Sequence, residues 1–169
     1  MKQLTEKEAL SKLMAVCARG EHCCQEMREK MMRWGIDSSA QQRIIDQLTD
    51  RQFIDEERFT RMFVSDKLRF NKWGRRKIEL ALYRKRIPKN ISKPILDAIA
   101  TEEYAEQLRP LIDSKRRSLP ADDSDYICRQ KLVRYALGRG FTFDIIRMVI
   151  DDADNTGIEE SDIPIGDDE

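Results

Sequence analysis

Histidine is almost absent from this chain: His22 is the only one among 169 residues. A lone imidazole beside Cys23 and Cys24 is a poor start for acid–base or nucleophilic chemistry, which needs a base paired with a second group. The seven glycines are scattered. None falls at the spacing of a phosphate-cradling loop, and no nucleophile elbow is present. The four cysteines, Cys17, Cys23, Cys24 and Cys128, form no disulfide framework. Two adjacent thiols cannot easily serve one tetrahedral ion, and no second ligand pair follows, so neither metal nor cofactor is expected. No apolar run approaches the roughly 20 residues of a membrane span. The opening MKQLTEKEAL lacks the apolar centre of a secretory signal. The expectation is a cytoplasmic, non-enzymatic chain without membrane contact. Strand-like alternation is missing as well, which leaves an all-α fold.

What the chain does have is repetition. The 23-residue stretch Glu26–Leu48 returns as Lys77–Ile99 and again as Lys131–Ala153, without an internal gap. Met31, Leu82 and Ala136 align, as do Ile36, Ile87 and Phe141. A period of this size marks a repeated supersecondary unit. Each copy reads as helix, turn, helix, with Met27, Met31 and Trp34 spaced for one face and Ile44, Ile45 and Leu48 for the next. Gly35 and Gly140 suit the left-handed close of a helix, whereas Arg86 stands at that place in the second copy. Ser39, Asn90 and Asp144 precede the following helix as expected N-caps, and Ser39 with Gln42 reads as a capping box. A further helix precedes each pattern. The first starts at the Thr5–Glu8 capping box. The second carries Phe59, Phe63 and Phe70 on its expected inner face. The third carries Tyr104, Leu108 and Leu111, with a kink or break expected at Pro110.

The chain therefore reads as three tandem three-helix, helix-turn-helix-like repeats in an elongated array. Residues 1–56 are the first, 57–101 the second and 102–157 the third. Residues 158–169 form an acidic tail expected to be disordered. The linker from Ser118 to Asp125 reads as polar and mobile.

A formal net charge of zero hides a strong segregation. Residues 61–120 carry 16 bases and 7 acids, and residues 121–169 carry 5 and 13. Between Lys67 and Lys93, eleven cations face the single acid Glu79. Such density raises the local field and favours a polyanion, and a mixture of lysine and arginine without a base-reading set suits phosphate contact. The candidate binding residues are Lys67, Arg69, Lys72, Trp73, Arg75, Arg76, Lys77, Arg84, Lys85, Arg86 and Lys89. Trp73 either stacks on an unpaired base or packs the bend between helices. Arg116, Arg117, Arg129, Lys131, Arg134 and Arg139 either extend this face or serve solubility. The acidic tail either solubilises the chain or mimics a polyanion over the basic repeat.

These residues resemble the RecX family of regulatory proteins. In Phe53–Ile87, Asp55, Arg58, Phe59, Val64, Gly74, Arg76 and Ile78 match the family pattern, as do Arg139, Gly140, Phe141 and Ile146 in the third repeat. The resemblance spans roughly residues 5 to 155. The chain departs from it at Gly74-Arg75, where the family has Gly-Pro, and at Lys85-Arg86-Ile87, where it has Lys-Gly-Ile. The resemblance implies a monomeric, non-catalytic regulator of recombination and DNA repair. It would bind the RecA recombinase filament along its groove and inhibit ATP turnover and strand exchange. It would also contact single- and double-stranded DNA through phosphates, without sequence selection. Two other readings remain open: a helix-turn-helix-like DNA-binding protein that needs no recombinase, and a helical adaptor that binds protein alone.

Overall fold

The computed structural model describes residues 4–154, and the expected acidic tail lies outside them. Among the described residues every regular element is an α-helix. The order is α1 (Glu6–Cys17), α2 (Cys24–Arg33), α3 (Ser38–Asp50), α4 (Glu56–Arg69), α5 (Arg75–Arg84), α6 (Lys89–Asp97), α7 (Thr101–Ser118), α8 (Asp125–Gly138) and α9 (Phe143–Asp154). They gather into two compact units. One holds Met1–Val64 with Ala81–Ile95, and the other holds Ser65–Leu80 with Leu96–Glu169. The helices α4, α5 and α6 each contribute residues to both.

The first unit starts from the Thr5–Glu8 capping box, in which each residue satisfies the other's backbone N–H. Its core joins Ala9 and Leu13 of α1, Met27 and Met31 of α2, and Ile44, Ile45 and Leu48 of α3. Full burial of a side chain such as Leu13 or Ile44 stabilises by roughly 2 kcal/mol. Trp34 packs partly buried against this core.

In the second unit, α7 packs against both α8 and α9. Tyr104, Ala105, Leu108 and Ile112 of α7 are buried, as are Leu132, Val133, Ala136, Phe141, Ile146 and Ile150. The Tyr104 hydroxyl is buried without a hydrogen-bond partner among the described residues, and burial pushes its pKa up to about 12.

The repeat is repeated down to its turns. Gly35, Arg86 and Gly140 have φ of 71°, 54° and 89°. The next residue's N–H closes the same ring in each copy: Ile36 to Met31 at 3.1 Å, Ile87 to Leu82 at 3.1 Å, and Phe141 to Ala136 at 3.2 Å. This is the Schellman closure of a helix. Losing the glycine in the second copy has not lost the turn.

Several expectations need correction. Asp37, not Ser39, caps α3, its carboxylate accepting the Ala40 N–H at 3.0 Å. The expected Ser39–Gln42 box is absent, because Gln42 reaches Arg28 and Asp46 instead. Asn90 and Asp144 lie inside the first turns of α6 and α9. Phe70 does not join Phe59 inside: it is 82% exposed, and the buried positions of α4 are Phe59, Thr60, Val64 and Leu68. Phe70 follows the last residue of the helix, so the helical spacing that placed it inward no longer applies. Helix α7 runs through Pro110 without a break, since the buried Leu108 and Ile112 hold the backbone on either side of the missing N–H. Ile112, rather than Leu111, is the buried residue there. Within the 118–125 linker, expected to be polar and mobile, the Asp123 N–H bonds the Pro120 carbonyl and the Asp123 carboxylate pairs with Lys131 at 2.6 Å.

Candidate nucleic-acid interface

The second unit's site is built on the turn between α4 and α5. The Phe70 and Asn71 N–H groups both bond the Asp66 carbonyl, and the Trp73 N–H bonds Lys67. Lys72 takes a φ of 52° to allow this. The Arg139 guanidinium then fixes the turn from outside, donating to the Asn71 carbonyl at 2.5 Å and to the Lys72 carbonyl at 3.3 Å.

Two glycines bring the second and third repeats' sequences together inside this unit. The Gly74 N–H bonds the Arg139 carbonyl at 2.9 Å, and the Arg76 N–H bonds the Gly140 carbonyl at 3.0 Å. The second of these satisfies a backbone donor that the first turn of α5 leaves without a partner. A Cβ on Gly74 would lie 2.2 Å from the Gly140 carbonyl carbon, and one on Gly140 would lie 2.4 Å from the Lys77 Cβ. Neither position has room for a side chain. The start of α5 is thereby seated on the α8–α9 turn, and Arg76 and Lys77 come next to Gly140.

The candidate cations fall into distinct environments. Arg75 is committed to its own unit, bonded to Glu79 at 2.8 Å and Asp97 at 2.5 Å. The Asp97 hydrogen bond, seconded by that to Glu79, holds its guanidinium still more firmly charged. Lys72 donates to the Gln107 amide oxygen at 2.8 Å. Lys67 and Lys77 place their ammonium groups 4.9 and 4.8 Å from the Trp73 ring centre. Trp73 is half-buried and orders these two lysines through cation–π attraction. Arg69, Arg76 and Lys77 make no ion pair with a described residue, and the two arginines are exposed.

In the first unit, Lys85 lies over Phe59 and Phe63 and pairs with Glu26 at 2.6 Å. Glu26 also accepts from the His22 ring at 2.7 Å, subject to the ring's tautomer. Burial works to raise the Glu26 pKa, but the hydrogen bonds from Lys85 and His22 outweigh it and hold the carboxyl below its ordinary value. Arg84, Arg86 and Lys89 are exposed and unpaired among the described residues. Burial pushes the neighbouring Cys23 and Cys24 thiols up to about 11 and about 12, so both stay protonated. Among the described residues no three His, Cys, Asp or Glu side chains converge as a metal set, and no helix is long and apolar enough to cross a membrane.

Of the six residues expected to extend the basic face, Arg129 pairs with Asp151 at 2.8 Å and Lys131 with Asp123. Arg116 and Arg117 are exposed at the end of α7, with Arg116 engaged in an interaction. Arg134 is exposed and unpaired among the described residues. Lys131, Arg134 and Arg139 line one open depression of about 390 Å³ together with Lys115, Tyr135 and Gly138. Lys115 and Tyr135 were not singled out from the sequence, although Lys115-Arg116-Arg117 is a visible basic triplet. The Lys115 ammonium lies 5.5 Å from the Tyr135 ring centre.

Comparison with known proteins agrees with this architecture. The profile of the second three-helix domain of RecX matches residues 55–93, and that of the third matches residues 102–150. Regulatory protein RecX of Clostridium botulinum strain Eklund 17B is 29% identical over 160 residues, covering 92% of this chain and 74% of the relative. That of Clostridium botulinum strain Alaska E43 is 32% identical over 131 residues, covering 77% of this chain and 61% of the relative. The chain thus spans less than two thirds of that second relative's length. The crystal structure of RecX from Lactobacillus salivarius superposes with a TM-score of 0.80 at 20% identity, covering 89% of this chain and 97% of that one. At that identity the likeness speaks for the fold. The chain belongs to the RecX family of regulatory proteins.

Proposed function

We propose that this chain is a non-catalytic regulator of the RecA recombinase, acting on the RecA–DNA filament and lowering its ATPase and strand-exchange activity. Membership of the RecX regulatory family supports a regulatory role. The observation that carries the contact chemistry is the set of outward cations left without a described carboxylate: Arg69, Arg76 and Lys77 in one unit, and Arg84, Arg86 and Lys89 in the other. Unneutralised cations exchange condensed counterions for phosphates, which gives affinity without sequence selection. Arg75 and Lys85, each paired with a carboxylate of its own unit, belong to the supporting structure. Cytoplasmic location and a monomeric state are part of the same proposal.

The deciding measurement is RecA ATP turnover on single-stranded DNA as this chain is titrated in. A fall in turnover at stoichiometric amounts is the expected result, and unchanged turnover overturns the proposal. On naked duplex, six engaged cations give a log–log salt slope of about −5. Tight, sequence-selective binding with no effect on the recombinase would instead favour a DNA-binding protein that works alone.

A further inference from the structure

We infer that Phe70 is a stacking platform for an unpaired base, so that the second unit binds single-stranded nucleic acid at a built site. This rests on the cationic reading above and adds a strand preference to it. An isolated exposed apolar side chain is ordinary on a protein surface. Phe70 differs in how it is held and in what surrounds it. It is 82% exposed at the tip of a turn whose next two carbonyls are both bonded by the Arg139 guanidinium. Its own N–H and that of Asn71 are fixed on the Asp66 carbonyl. A long polar side chain from another repeat is thus used to hold the backbone beside a largely exposed phenyl ring.

The surroundings select the partner. Between the exposed Asp66, whose carbonyl anchors the turn, and Glu79, which pairs with Arg75, the sequence holds no acid, and Phe70 lies between the exposed Arg69 and the left-handed Lys72. Arg139 also lines the depression formed with Lys115, Lys131, Arg134 and Tyr135. The Arg139 side chain therefore links the turn that displays the ring to this depression. A strand can lay a base on Phe70 while an adjacent phosphate meets the exposed Arg69, which pairs with no described carboxylate. Bases in a duplex already stack on each other and offer no face to the ring, whereas every unpaired base does. An apolar pocket on a protein partner is the competing occupant. It has no need of the flanking cations, which is why the nucleic acid is preferred.

The test is fluorescence anisotropy with a labelled oligothymidine of about 20 nucleotides and a duplex of equal length, using the whole chain, its Phe70→Ala variant and its Phe70→Trp variant. Loss of one base–aromatic stack weakens single-strand binding roughly 5- to 150-fold. The expected result is such a loss for Phe70→Ala, duplex affinity within about twofold of wild type, and retention in Phe70→Trp. Because the ring is exposed, the urea midpoint of Phe70→Ala should match wild type, which separates stacking from folding. Equal losses on both nucleic acids, or no loss on either, overturn the inference. If Phe70→Ala weakens only attachment to recombinase filaments, the ring meets protein and the inference also falls. In each of these cases wild-type, salt-sensitive binding to the duplex leaves the cationic reading standing. Failure of the wild-type chain to bind either nucleic acid overturns that reading itself.

Discussion

Replacing Gly74 by alanine asks the most of this structure, because the new methyl would have to enter backbone. Its Cβ would lie 2.2 Å from both the Gly140 carbonyl carbon and the Phe141 nitrogen. No side chain can swing away to relieve that clash. The start of α5 must instead lift off the α8–α9 turn, which breaks the Gly74-to-Arg139 and Arg76-to-Gly140 hydrogen bonds. Two such bonds contribute about 1 kcal/mol each, and the forced repacking adds roughly 1–3 kcal/mol. The total, about 3–5 kcal/mol, is a large part of the roughly 5–15 kcal/mol that holds an ordinary domain folded. With a urea slope of about 2 kcal/mol per molar, the midpoint followed by circular dichroism should fall by about 1.5–2.5 M. Gly138→Ala supplies the control. Gly138 ends α8, and nothing lies within 4 Å of its added Cβ. That change should be neutral or stabilise by up to about 1 kcal/mol. A Gly74→Ala midpoint within about 0.3 M of wild type would refute the glycine-to-glycine seat, and with it the route by which Lys77 and Gly140 become neighbours.

Two further perturbations separate structural charges from binding charges. Arg75→Ala should cost about 1 kcal/mol of stability, since it releases Glu79 and Asp97, which are both partly exposed. The double change Arg76→Ala with Lys77→Ala should leave the urea midpoint near wild type and make the salt slope on duplex DNA shallower by about 2. Equal salt slopes for the double variant and wild type would contradict that assignment. Glu26→Gln should destabilise by roughly 1–2 kcal/mol at pH 7 by removing a half-buried ion pair to Lys85. The Glu26 pKa is lower in the folded chain than its ordinary 4.5. Its contribution is therefore present above about pH 4.5 and lost as pH falls through the lowered folded value. The gap between wild type and variant should close on acidification below that point, and a gap constant from pH 7 to pH 3 would count against the pair.

Much of the fold was legible because helical spacing and aligned positions carry it. Met31, Leu82 and Ala136 did prove to be the acceptors of equivalent turns, and Ile36, Ile87 and Phe141 the donors. Caps were less legible: Asp37 and Ser39 are both good capping residues, and only the entry of the chain decides which one faces the helix end. Phe70 shows the limit of periodicity, which ranks a residue by spacing even after the helix has stopped. At the site, counting cations overstated what is available. The sequence shows charges but not the carboxylates that fold against them, so Arg75 and Lys85 looked equivalent to Arg69 and Arg76. Glu26 is distant from Lys85 in the chain, and nothing in the local composition announces their pairing.

The three aligned turns also show why glycine stands where it does. The left-handed close alone does not require glycine, since Arg86 adopts it with a φ of 54° at a strain cost of about 1–2 kcal/mol. Gly35 has open space around its missing Cβ, so only its φ of 71° favours glycine there. Gly140 carries both constraints, because a Cβ would meet Lys77 at 2.4 Å. Gly74, with no positive φ, carries the packing constraint alone. A substitution at residue 35 therefore probes backbone preference, one at residue 74 probes contact, and one at residue 140 combines them. The same alignment that makes these positions look interchangeable in sequence separates them in physics. The contact constraint falls on the two glycines that set the basic start of α5 against the α8–α9 turn.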